Sequence, residues 1–124
     1  MTDVAPLLGP LLQRFFAEHL VHHKRVSLQT VASYRDTFRL LLEFVQKQRH
    51  IEPSALRVTD LDVPVILGFL DYLESERKNS VRSRNLRLAA IRSFSRLMAL
   101  REPAHVDLAA RILAIPVKRS ERKL

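Results

Sequence analysis

The chain has 124 residues, 47% of them hydrophobic, and carries a net charge of +8 from 21 Lys/Arg against 13 Asp/Glu; that is one domain's worth of sequence with enough apolar material for a modest core. It has no cysteine and two glycines, without G-x-G-x-x-G or G-K-[ST], which excludes a disulfide framework, a thiolate zinc site and the common phosphate-cradling loops, and favours an intracellular location. No run approaches the ~20 apolar residues of a membrane span, and the opening "MTDVAPLLGPLLQRFF" lacks a basic n-region and is interrupted by Pro6, Gly9 and Pro10, unlike a signal peptide.

Helical spacing begins at Pro10, where Leu11, Leu12, Phe15, Phe16 and Leu20 predict a first helix to about His23. "KRVSLQT" interrupts it and offers Ser27 as an N-cap. Val31, Tyr34, Phe38, Leu41 and Val45 then step by three and four to about Arg49, a second and longer helix. Pro53 and the polar cluster of "HIEPSALRVTDLD" break the pattern, and Asp62 with Pro64 predicts the start of a third helix, Val65 to about Lys78, burying Ile66, Phe69, Leu70 and Leu73. Asn79 and Ser80 can cap a fourth helix to about Leu100, with Leu88, Ile91, Phe94 and Met98 in one apolar row and Leu86, Ala90 and Leu97 in a second. A short fifth helix, Val106 to Leu113, precedes the basic tail "PVKRSERKL". No segment alternates with period two long enough for a strand. The predicted fold is all-α: a bundle of four helices plus a short fifth, residues 1–115 forming the domain and 116–124 a basic linker.

Charge is distributed unevenly along this chain. Residues 1–79 hold ten Lys/Arg and ten Asp/Glu, whereas residues 80–124 hold eleven against three, so the whole excess lies in the last third. A one-sided basic excess favours a polyanionic partner, nucleic acid before an anionic membrane. Its densest stretch, "SVRSRNLRLAAIRSFSR", has five arginines and no acid. At 100° per residue, with Arg82 at 0°, Asn85 falls at about 300°, Arg92 at about 280°, Arg96 at about 320° and Ser93 at about 20°, an outward stripe opposite an apolar arc from roughly 40° to 240°. Arg84 and Arg87 fall nearer that arc, where their stems can cover the core edge while the guanidinium groups reach solvent. Arginine can hold phosphate or pair with guanine, Asn can pair with adenine, and small residues let a helix approach a groove closely. A merely solubilising helix would mix signs at i,i+4.

Two segments resemble the N-terminal core-binding, SAM-like domain of tyrosine recombinases and phage-type integrases: "SLQTVASYRDTFRLLLEF", with Ser27, Thr30 and Tyr34 in an S-x-x-T-x-x-x-Y arrangement, and "SVRSRNLRLAAIRSFSRLM". The resemblance implies a helical domain that clamps duplex DNA from one side with its second and fourth helices. Arg35 and Arg39 on the second helix would join the fourth, and Lys24 and Arg25 would add phosphate contacts that set register without reading sequence. It also implies that strand cleavage, by a tyrosine nucleophile with arginines, a lysine and His-x-x-Arg, belongs to a separate catalytic domain. This chain is expected to end before that domain and not to be an enzyme itself. Tyr34 and Tyr72 fall within amphipathic helices and read as core, and His22-x-x-Arg25 reads as coincidence.

His19, His22 and His23 have helical spacing for a shared metal, but without Cys or H-E-x-x-H they read as a helix-end cluster, so no metal and no cofactor is expected. The resulting expectation is a DNA-binding domain of a site-specific recombinase in the bacterial cytoplasm, nucleoid-associated when bound. Its partners would be double-stranded DNA and other recombinase protomers assembled on it, with no membrane and no small-molecule substrate. A helical protein-interaction module without specific DNA recognition is the rival reading. An exposed apolar stripe on helix one, beginning Leu7, Leu8, Leu11, Leu12 and Phe15, would favour it.

Overall fold

The computed structural model describes residues 4–20 and 26–119, and its described residues form five α-helices with no strand beyond a single antiparallel bridge, Leu7 to Arg57. Helix α1 (Leu8–Arg14) runs directly into a π-helical turn, Phe15–His19. Its start is tied to the loop after the second helix: the Leu8 N–H donates to the Leu56 carbonyl at 2.8 Å and the Val58 N–H to the Pro6 carbonyl at 3.0 Å. Helix α2 (Leu28–Arg49) begins at Ser27, whose hydroxyl accepts from the Thr30 N–H at 3.0 Å, so two members of the S-x-x-T-x-x-x-Y arrangement form a cap. Helix α3 (Val63–Ser75) is capped by Asp62, which accepts from the Val65 N–H at 3.0 Å, with Pro64 in its first turn. It stops short of Lys78, because Lys78 takes a left-handed backbone (φ 57°) and the Asn79 N–H turns back to the Leu73 carbonyl at 2.8 Å. Helix α4 (Val81–Arg101) is capped by Ser80 through the Ser83 N–H, and α5 (Val106–Leu113) follows a 3₁₀ turn at Pro103–His105.

Helix α4 is the central element, packed by α2, α3, α5 and the π-turn. Its buried row Leu88, Ile91, Phe94 and Met98 meets Phe15 of the π-turn and Phe38 of α2 in a three-ring cluster. The Phe15–Phe94, Phe38–Phe94 and Phe15–Phe38 centroids lie 5.6, 5.5 and 5.9 Å apart, all edge-on, the geometry aromatic quadrupoles prefer. Tyr34 stacks on Phe15, and Tyr72 lies 5.2 Å from Phe44, so both tyrosine rings pack as the helical spacing predicted. Helix α5 closes the far side with Ala109 and Ile112, followed by Ile115.

The second apolar row of α4 is buried at Ala90 and Leu97 but not at Leu86, which is 54% exposed. The π-turn crosses this side of α4 near Leu97, where Arg14, Glu18 and His19 line a shared crevice with it. A helical wheel projects both ends of α4 onto one circle and so cannot show that coverage is confined to one half.

Candidate nucleic-acid interface

The arginines of α4 divide into three kinds. Arg84 is buried, contrary to a guanidinium reaching solvent: its Nε lies 3.5 Å from a Glu74 carboxylate oxygen of α3, and its Nη1 donates to the Asn85 side-chain oxygen at 3.1 Å and the Pro116 carbonyl at 3.5 Å. Arg87 reaches α2, donating to Asp36 at 2.9 Å, the Thr37 hydroxyl at 3.1 Å and the Ser33 carbonyl at 3.2 Å. Arg92 is half-buried and donates through Nη2 to the Ile115 carbonyl, while its Nε is buried with no partner. Arg82 and Arg96 are exposed and, among the described residues, form no ion pair or hydrogen bond. Acids on α3 and α2 thus face Arg84 and Arg87, Arg101 at the end of α4 lies 3.6 Å from Glu18 of the π-turn, and among the described residues Arg82 and Arg96 keep no acidic partner.

The outward stripe is accordingly narrower than the wheel predicts. Ser93 is off it, 1% exposed with a hydroxyl that finds no partner. Asn85 is half-buried, its Nδ2 donating to the Lys118 carbonyl at 2.7 Å and its Oδ1 accepting from the Lys118 N–H at 2.9 Å. What remains is Arg82 and Arg96, about 21 Å apart along the helix at 1.5 Å per residue, with exposed Leu86 and half-buried Ala89 between them.

On α2, Arg35 is exposed with its guanidinium 5.2 Å from the Phe16 ring centre, which leaves its N–H donors available. Arg39 is instead bound on its own helix, 2.6 Å from Asp36 and 3.1 Å from Glu43. Asp36 thus bridges Arg39 and Arg87. The hydrogen bond from Arg39, together with the charge and hydrogen bond of Arg87, lowers the Asp36 pKa below the ordinary carboxylate value despite partial burial. Lys24 and Arg25, and with them His22 and His23, lie outside the described residues. His19 is buried and stacked on Phe15 at 5.8 Å.

Sequence reasoning passed over Arg77 and Lys78, exposed and without ion pairs among the described residues, in the turn immediately before the α4 cap. Splitting the charge count at residue 80 assigned them to the neutral part, although "RKNS" delivers them to the start of α4.

The family model of the phage integrase N-terminal SAM-like domain matches residues 12–102, from α1 through the whole of α4. The chain belongs to this family. The integrase-type domain is 48% identical over 117 residues to "Putative integrase/recombinase y4rC" of Sinorhizobium fredii (strain NBRC 101917 / NGR234), covering 94% of this chain and 35% of that protein. It is 44% identical over 114 residues to "Putative integrase/recombinase y4rD" of the same organism, covering 92% of this chain and 41% of the relative. The chain therefore spans well under half the length of the relatives it matches. No solved structure matches it. Among the described residues of this integrase-type domain, no helix is long and apolar enough to cross a membrane.

Proposed function

We propose that this chain is the DNA-binding, core-binding domain of a site-specific recombinase, gripping duplex DNA from one side through α2 and α4. The observation that carries the reading is the division among the α4 arginines: Arg84, Arg87 and Arg101 face Glu74, Asp36 and Glu18, Arg92 is held by the Ile115 carbonyl, and Arg82 and Arg96 stand exposed with no acid beside them among the described residues. Arg35 on α2 and Arg77 and Lys78 before α4 supply further exposed cations for phosphate. Lys24 and Arg25 belong to the proposal from sequence alone, and Arg39 contributes less because two carboxylates hold it. Arg84, Arg92 and Ser93 act behind the surface. The rival protein-interaction reading asked for an exposed apolar stripe beginning Leu7, Leu8, Leu11, Leu12 and Phe15; Leu7 is exposed, but Leu8, Leu11, Leu12 and Phe15 are buried, so no continuous stripe is left.

In this reading the domain supplies affinity and register, other protomers assemble with it on DNA in the bacterial cytoplasm, and strand cleavage belongs to other residues of the whole recombinase. A labelled random-sequence duplex titrated at two salt concentrations tests it. With about five phosphates neutralised, the log affinity should fall against log salt with a slope near −4 to −5. Absence of binding at about 50 mM salt, or insensitivity to salt, would refute the electrostatic basis.

A further inference from the structure

The segment after α5 does not leave the bundle at Pro116. It runs back along α4, fastened by Arg92 to the Ile115 carbonyl, by Arg84 to the Pro116 carbonyl and by Asn85 to both main-chain groups of Lys118. The Lys118 ammonium is held in turn 2.8 Å from Glu74, the carboxylate that also faces Arg84. Two cations around one carboxylate leave that corner of the molecule with a net positive charge. Arg119, next along the segment, is exposed and forms no ion pair among the described residues.

Asn85 decides how this segment sits. A side-chain amide oxygen has two lone pairs, and Oδ1 uses both, one for the Lys118 N–H and one for Arg84 Nη1. Pairing with adenine requires the amide oxygen to accept from the base's N6 amine while Nδ2 donates to N7. With the segment seated, that acceptor is occupied. We infer that Asn85 is a positioning residue: its carboxamide pins the main chain of Lys118 as a strap along α4, so that Lys118 and Arg119 are presented on the same basic surface as Arg82, one helical turn away. The strap thereby fixes the direction in which the chain leaves the bundle relative to the helix that carries the unpaired arginines. This rests on the DNA reading for its second half, but not for its first.

The test uses the full chain and its variants Asn85→Ala, Asn85→Asp, Lys118→Ala and the Asn85→Ala/Lys118→Ala pair. Amide hydrogen exchange reads the strap. Asn85→Ala should speed exchange at the Lys118 amide roughly tenfold or more with the melting temperature unchanged, whereas Asn85→Asp, which keeps the acceptor, should retain most of the protection. Unchanged exchange in Asn85→Ala overturns the positioning role. Binding of a random-sequence duplex of about 25 base pairs reads the surface. Each single variant should weaken it severalfold, and the double variant should weaken it no further than the stronger single. Additive losses would mean that Asn85 contacts DNA by itself and would overturn the inference. If the parent chain binds no duplex, the DNA reading fails, while the exchange experiment still decides the strap.

Discussion

Arg87 of α4 and Asp36 of α2 meet at 2.9 Å, and the same guanidinium also donates to the buried Thr37 hydroxyl and the Ser33 carbonyl. One side chain therefore fastens α4 to a full turn of α2, which fixes the spacing of the two helices that carry Arg35 and Arg82. Replacing Arg87 with Ala should lower stability by about 1 to 2 kcal/mol, since several partly buried acceptors lose a charged donor together. Urea unfolding of the parent and variant measures it, and a loss below a few tenths would show that the clasp is incidental.

The same cluster predicts a pH dependence. The Asp36 pKa is lowered in the folded protein, so its contribution to stability is fully present above the unfolded carboxylate value of about 4 and is lost as pH falls through the lower folded value. The carboxylate is 39% exposed, so solvent and salt screen the effect and it should be modest. Asp36→Asn should melt below the parent at pH 7, and that gap should close as the pH is taken below about 4. A gap that persists unchanged in acid would exclude the ionised carboxylate as its source.

Ser93 presents the opposite situation, a buried hydroxyl without a partner. Burying an unmatched hydroxyl costs free energy, and alanine is the better helix former. Ser93→Ala should therefore raise stability, by up to about 1 kcal/mol, and leave duplex affinity as it was. Weakened binding in a variant that melts normally would return Ser93 to the surface that the wheel assigned it.

What was legible in the sequence was local. Ser27, Asp62 and Ser80 were readable as caps because a cap is made by a side chain and a backbone N–H three residues away. The apolar rows of α2 and α4 were readable because helical periodicity is local as well. Arg84, Arg87 and Leu86 were not, because their surroundings depend on other helices: Glu74 lies on α3 and Asp36 on α2, and the π-turn covers one half of α4 and not the other. The early end of α3 escaped notice because a left-handed Lys78 carries no glycine or asparagine signal. The docking of residues 115–118 on α4 was not legible either, because that segment is basic and the side chains that hold it lie on another helix.

The two tyrosines give a chemical prediction. Both rings pack on phenylalanines, Tyr34 on Phe15 and Tyr72 on Phe44, and among the described residues no basic side chain hydrogen-bonds to either hydroxyl. Incubation with supercoiled or nicked DNA should give no covalent protein-DNA adduct and no strand joining. An adduct that forms with the parent chain and vanishes in Tyr34→Phe or Tyr72→Phe would show that one of these hydroxyls is a nucleophile.

Arg82 and Arg96 separate the DNA reading from a purely solubilising one. Neither makes an ion pair or hydrogen bond among the described residues, and both are exposed, so truncation to Ala removes little packing and substitutes a good helix former. Each single variant should change stability by no more than ~0.5 kcal/mol. If each arginine neutralises one phosphate, each loss should reduce the salt slope by about 1, and the double variant by about 2, on every duplex alike. A base contact would behave differently, costing about 1 to 3 kcal/mol on one sequence and little on others. Phe94→Ala supplies the contrast: it empties the three-ring cluster and should cost about 3 to 5 kcal/mol of stability. A double Arg82→Ala/Arg96→Ala variant that melts normally and binds duplex as tightly as the parent would leave these arginines with solubility as their role and would make a protein the better candidate for the partner.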